Sequence, residues 1–150
     1  MPERMSWDEY FMAMAELASK RSTCLRRQVG AVAVIDKRVV ATGYNGAPSG
    51  APHCSETGCW RQLNNIPSGE RHETCRAQHA EGNLVAQAAR YGTSLSGATV
   101  YCTHQPCAIC AKLMVASGIR SVCYAEGYPD NLAMQVFNEA GVTVRQLEND

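Results

Sequence analysis

Apolar residues recur at helical spacing across positions 6–19, where Tyr10, Phe11, Met14 and Leu17 form one stripe. Ser6 stands where an N-cap belongs, and Asp8 and Glu9 suit the positive end of that helix. The pattern then changes. Residues 29–36 and 38–44 are short runs of β-branched and small side chains joined through Asp36-Lys37, and they predict a hairpin. Helical spacing returns after His79 with Leu84, Val85 and Ala88, and Gly92 marks its stop. It returns after Pro106, a residue suited to a helix start, and runs to Gly118. Strands are predicted at 97–102, 119–125 and 142–147, with a helix at 131–140 stopped by Gly141. The alternation after Gly97 implies parallel pairing in that half, while the hairpin adds an antiparallel pair. The expected class is α/β, a mixed sheet covered by helices.

Residues 51–78 break this rhythm. They form a long insertion without a strong period, and such loops in a compact domain are functional or held by something. The insertion carries His53, Cys54, Cys59, His72 and Cys75, and Cys24 precedes it. Cys24, Cys54, Cys59 and Cys75 would complete a closed tetrahedral zinc site, with His72 able to replace one of them. Free thiols are the plainer reading, because the spacing matches no standard zinc finger.

Composition narrows the partners. The 150 residues suit one domain, 1–150, with the insertion at about 51–78. Basic and acidic residues balance at 14 each, which argues against wrapping a polynucleotide but allows a small anion held by a few arginines. No secretory segment and no membrane-spanning run is read. Eight cysteines then point to metal in a reducing compartment, and a cytoplasmic location is expected (the host's cytoplasm if the protein is phage-encoded).

Two short motifs carry the chemistry. His79-Ala80-Glu81 is H-x-E, and Pro106-Cys107-Ala108-Ile109-Cys110 is P-C-x-x-C. One imidazole and two thiolates suit zinc and leave a fourth coordination position for water. Zinc brings the pKa of such a water to about 7. Glu81 is two residues from His79, near enough to move protons, so it reads as the general acid/base and not as a ligand. Both motifs open predicted helices, so all three ligands are expected in first turns, where the helix dipole favours thiolate. A C-x-x-C standing alone would equally suit core thiols or a redox dithiol; the upstream H-x-E disfavours both.

Other residues admit two readings each. Arg26 and Arg27 belong to a polar stretch that is either a solvated loop or a phosphate grip. Asn45-Gly46 is a turn signal, and the Asn45 amide could also hold a sugar hydroxyl or phosphate. Tyr128 is either a surface turn residue or a group that stacks on a base or bonds a phosphate.

H-x-E with P-C-x-x-C is the signature of zinc-dependent base deaminases. Val29-Gly30-Ala31-Val32, the run from Gly43-Tyr44-Asn45-Gly46 to Gly50, His79-Ala80-Glu81-Gly82-Asn83 and the segment Pro106 to Lys112 then resemble the deoxycytidylate (dCMP) deaminase family of the cytidine deaminase superfamily, in particular its bacterial and bacteriophage members. The resemblance implies a three-layer α/β/α sandwich with a five-stranded mixed sheet. It implies a hydrolase that converts dCMP to dUMP and ammonia and feeds thymidylate synthesis. It also implies a homohexamer activated by dCTP with Mg2+ and inhibited by dTTP. It assigns His79, Cys107 and Cys110 as zinc ligands, Glu81 as proton shuttle and Asn45 as a nucleotide contact. Some members hold a second zinc with cysteines at the positions of Cys24 and Cys54. Arg90 matches a basic position near the substrate and effector region. Two departures stand out: Gly82 replaces the Leu or Gln of many members, implying a looser first turn, and Gln87 stands where some regulated members carry an aromatic. The competing expectations are a deaminase of dCTP, a nucleoside or tRNA, and a non-catalytic zinc scaffold, against which an intact Glu81 argues.

Overall fold

The structure is a computed structural model that describes residues 3–67, 70–71 and 75–147. Helix α1, Trp7–Ser19, begins where its cap sits: the Ser6 hydroxyl accepts the Glu9 amide at 3.1 Å. Strands β1, Gly30–Ile35, and β2, Arg38–Tyr44, form the expected antiparallel hairpin. Asp36 and Lys37 both take positive φ, 52° and 59°, the twist a two-residue hairpin turn needs. Strand β3, Thr99–His104, pairs antiparallel with β1 and parallel with β4, Ser121–Glu126; β4 pairs parallel with β5, Thr143–Gln146. The sheet has five strands in the order β2-β1-β3-β4-β5.

Strand β3 starts two residues later than its apolar pattern suggests. Gly97 takes a positive φ of 80°, and the Ala98 amide turns back to Leu95 O at 3.0 Å, so the chain is still in a turn there. The insertion holds two short helices that the sequence does not signal, α2 (Cys54–Thr57) and α3 (Trp60–Leu63). At four residues each, they are too short to show a period. Helices α4 (Ala80–Tyr91), α5 (Ala108–Ala116) and α6 (Asn131–Glu139) follow the predicted pattern, and Gly92 closes α4 in the left-handed conformation.

Two apolar clusters sandwich the sheet. On one face Phe11, Met12 and Ala15 of α1 pack on Val32, Tyr101 and Cys123. On the other, Leu84, Met114 and Phe137 from α4, α5 and α6 pack on Val100 and Val122. The layers are therefore α/β/α. The period of α1 is as expected, but its phase is not: Leu17 is 72 % exposed and Tyr10 is 41 % exposed, whereas Ala15 is fully buried. Gly30 explains the shift. A Cβ there would overlap the carbonyl oxygen of Ala15, so α1 approaches the sheet backbone to backbone at Ala15, with Phe11 and Met12 on the buried face and Tyr10 and Leu17 turned outward. No described helix is long and apolar enough to cross a membrane.

Candidate active site

The carboxyl end of β3 and the starts of α4 and α5 converge on the two motifs. His79 is the N-cap of α4, in extended conformation (φ −66°, ψ 157°), and Cys107 is the N-cap of α5 (φ −78°, ψ 171°). Two of the three ligands therefore stand one residue before their helices, and only Cys110 lies inside a first turn. That placement aims His79 Nδ1 at Cys107 Sγ, 3.3 Å away, and at Cys110 Sγ, 3.4 Å away. Tetrahedral zinc with ordinary Zn–N and Zn–S bonds separates such atoms by roughly 3.5 Å, so the donor set and its spacing fit zinc. Among the described residues, these three are the group whose ligand atoms fall within 4.8 Å of one another.

Glu81 stands beside that group and outside it. It is 4 % exposed, and burial pushes its carboxyl above the usual range, partly offset by a backbone hydrogen bond and by nearby His79. The hydrogen bond to Cys107 raises His79. Cys107 is pulled down to about 4, first by the Cys110 thiol and then, against the cost of burial, by His79. The same contact and burial push Cys110 up. The arrangement offers an imidazole and two sulfurs to one cation, with a buried carboxyl alongside whose protonated form is favoured by burial.

A cavity of about 120 Å³ opens over the cluster, with His79, Glu81 and Cys107 in its floor. The loop before β1 gives one wall, with Cys24, Arg26 and Arg27. Arg27 lies over the Tyr128 ring at 5.6 Å, and Tyr128 also faces the cavity. One terminal nitrogen of Arg26, Nη1, is buried without a hydrogen-bond partner. Asn45 lines the cavity, but both ends of its amide are engaged: Oδ1 accepts from Val29 N, and Nδ2 donates to Arg27 O, each at 2.8 Å. Its first task is to pin the arginine loop to the end of β2. Arg90 is not in the cavity wall; it sits exposed in the last turn of α4, its guanidinium over Tyr91.

The insertion supplies another wall, with Cys54, Cys59 and Cys75 facing Cys24 across the same space. Burial, then the charges of Cys75, Cys24 and Cys59, push the Cys54 thiol up, so the four sulfurs feel one another. They are not drawn together as closely as the His79 group. His72 lies outside the described residues.

Two cavity residues escaped the sequence reading. Arg61 on α3 is 8 % exposed and donates through Nη2 to the carbonyls of Pro67 at 2.9 Å and Glu70 at 2.7 Å, which fastens the insertion. His104 ends β3; its Nε2 meets Glu126 at 3.0 Å and its Nδ1 meets the Thr103 hydroxyl at 2.8 Å. Neither has a spacing signal, because each partner is brought in by the fold.

The family profile described as the cytidine and deoxycytidylate deaminase zinc-binding region matches residues 5–126. The chain belongs to this family. It is 43 % identical over 149 residues to ComE operon protein 2 of Bacillus subtilis, covering 99 % of this chain and 75 % of that one. It is 46 % identical over 126 residues to the deoxycytidylate deaminase of Mycobacterium phage D29, covering 81 % of this chain and 95 % of the phage protein. It spans less than half the length of two yeast deoxycytidylate deaminases that it also matches, at 44 % and 46 %. The crystal structure of dCMP deaminase from cyanophage S-TIM5, in complex with dCMP and dUMP, superposes with a TM-score of 0.78 at 29 % identity, covering 97 % of this chain and all of that one. The donor set of His79, Cys107 and Cys110 fits the zinc-binding region for which the family is described, and the α/β/α layers match the solved relative.

Proposed function

We propose that the protein deaminates dCMP: water and dCMP give dUMP and ammonia. The observation that carries this reading is a zinc-spaced His79–Cys107–Cys110 cluster with buried Glu81 at its side, flooring a cavity whose rim holds Arg26, Arg27 and Tyr128. Zinc held by the cluster supplies Lewis acidity and makes water a nucleophile near neutral pH. The rest falls to side chains of this chain. Glu81 takes one proton of the attacking water and passes it to N3 of cytosine, then takes the proton left on the new C4 hydroxyl and delivers it to the departing amine. Its buried environment favours the protonated state that the second step needs. Arg26 and Arg27 neutralise the 5′-phosphate, and the Tyr128 ring braces Arg27. Asn45 positions that loop and keeps one amide hydrogen for the nucleotide.

Finer readings go with this one. Cys24, Cys54, Cys59 and Cys75 close around a second, structural zinc when it is present, with His72 as the alternative ligand. The product supplies thymidylate synthesis in the cytoplasm, and the eight unpaired cysteines suit a reducing compartment. The protein works as a homohexamer raised by dCTP–Mg2+ and lowered by dTTP. Exposed Ile109, Leu113 and Leu132 on α5 and α6 offer apolar surface for such contacts. Arg90 would meet an effector only away from the cavity.

The test is ammonia release from dCMP, deoxycytidine, dCTP and a tRNA anticodon stem, with and without dCTP–Mg2+ or dTTP, on protein whose mass in solution is measured. Turnover confined to dCMP establishes the reading. Turnover of dCTP, the nucleoside or the RNA replaces the substrate, and zinc without any turnover makes the protein a scaffold.

A further inference from the structure

Cys107 is the N-cap of α5, and its sulfur faces His79. Side chains at that position ordinarily accept a first-turn amide, because those amides have no partner within the helix. The Cys107 sulfur is turned to His79 and to the Cys110 amide, and it leaves the Ala108 amide to another partner. The cap for that amide comes from elsewhere. Asp130, the residue before α6, accepts the Ala108 amide of α5 through Oδ2 at 2.8 Å. Through Oδ1 it accepts the Ala133 amide of its own helix at 3.0 Å. One carboxylate thus caps two helices. The residues just before Cys107 are tied to the same loop. The Gln105 amide donates to Glu126 O at 2.8 Å, and the Gln105 side chain donates to Asp130 O at 3.3 Å. Pro106 between them is fully buried and has no N–H to contribute.

Residues 105–108 are therefore fastened at both ends to the loop 126–130. Their backbone conformation decides where Cys107 Sγ points, and Cys110 follows one helical turn later. We propose that Asp130 is a positioning residue for the metal centre, holding Cys107 and Cys110 at ligating distance from His79 by capping the first amide of α5. The inference rests on the zinc-deaminase reading. It explains how the two sulfurs keep one geometry although the Cys107 side chain leaves the Ala108 amide to Asp130.

Two variants separate this role from ordinary capping of α6. Asp130→Ala removes both bonds. Asp130→Ser keeps a good N-cap for α6 but is too short to reach Ala108. Zinc affinity is measured by competition with a chromophoric chelator, and the thermal midpoint of each zinc-free protein is measured alongside. Loss of a partner that orients metal ligands typically weakens binding about 10- to 100-fold. The expected result is that loss in both variants, while zinc-free Asp130→Ser melts with the zinc-free parent. Parental zinc affinity in Asp130→Ser overturns the proposal, since the Ala108 bond is then without consequence for the metal. A zinc-free Asp130→Ser that melts well below the parent overturns it too, because the role is then general stability. If the parent binds zinc but leaves dCMP untouched, the substrate reading fails and the affinity comparison still decides this one. A parent that binds no zinc ends both.

Discussion

His79 and Cys107 each occupy the residue just before a helix, and that position frees their side chains to converge while the helix amides stay behind them. Glu81, one residue into α4, is carried instead into the dry space under the cavity. The difference between the proposed ligand His79 and the proposed proton carrier Glu81 is thus a difference of two residues in backbone direction. Replacing Glu81 by Gln keeps size and hydrogen bonding but removes proton transfer. We expect Glu81→Gln to retain its zinc by elemental analysis while kcat falls about 10²- to 10⁴-fold. Turnover near the parental rate would move the proton carrier to another residue. These residue types were legible in the sequence because metal chemistry restricts them to a few kinds at short spacings. Arg61 and His104 were not, because a buried arginine and a strand-end histidine take their meaning from carbonyls and carboxylates distant in the chain.

At the scale of elements, two glycines behave in opposite ways. Gly43 on β2 lies where α4 begins, and a Cβ there would overlap the carbonyl oxygen of Ala80. Gly82 lies inside α4 with nothing within 4 Å of the place its Cβ would take. The looser turn suggested by Gly82 is not evident, for α4 runs unbroken from Ala80 to Tyr91. Gly43→Ala should lower stability by about 1–3 kcal/mol by overpacking, and it should cut activity because the displaced turn carries His79. Gly82→Ala should raise stability by about 0.5–1 kcal/mol, since it removes backbone entropy from the unfolded chain at no steric cost. Thermal or urea unfolding of the pair decides it; equal effects would mean that the α4–β2 contact yields. The hydrophobic period located most helices and strands within two residues, with β3 starting two residues late and the short helices α2 and α3 unseen. It could not supply the phase of α1, which is set by how near a backbone can approach at Gly30.

At the scale of the whole molecule, the outer layer α1 is tied to the sheet by charge as well as by apolar contact. Asp8 accepts the Tyr101 hydroxyl at 2.6 Å and both terminal nitrogens of Arg145 at 2.7 Å. The Arg145 bonds, then Tyr101, hold its carboxyl below the usual value of 3.8 despite some burial. A lowered folded value means that this stabilisation is present above about pH 4 and is lost as acid protonates the group. Asp8→Asn should therefore lower the thermal midpoint by about 2–6 °C at pH 7, for a loss of roughly 1–2 kcal/mol, and the gap should close below about pH 4. A gap that persists in acid would assign the effect to packing. By itself the sequence determined the class of fold, the family, and a set of donor residues that fits zinc. Local periodicity and ligand chemistry are properties of short stretches, and so was the family that those stretches resemble. Only the tertiary structure decided that Asn45 pins the arginine loop, that Arg90 stands away from the cavity, and that Asp130 caps α5, the helix of Cys107 and Cys110. Each of these depends on which segments meet after the sheet has formed, and a hydrogen bond between residues 22 apart leaves no trace in the spacing of either.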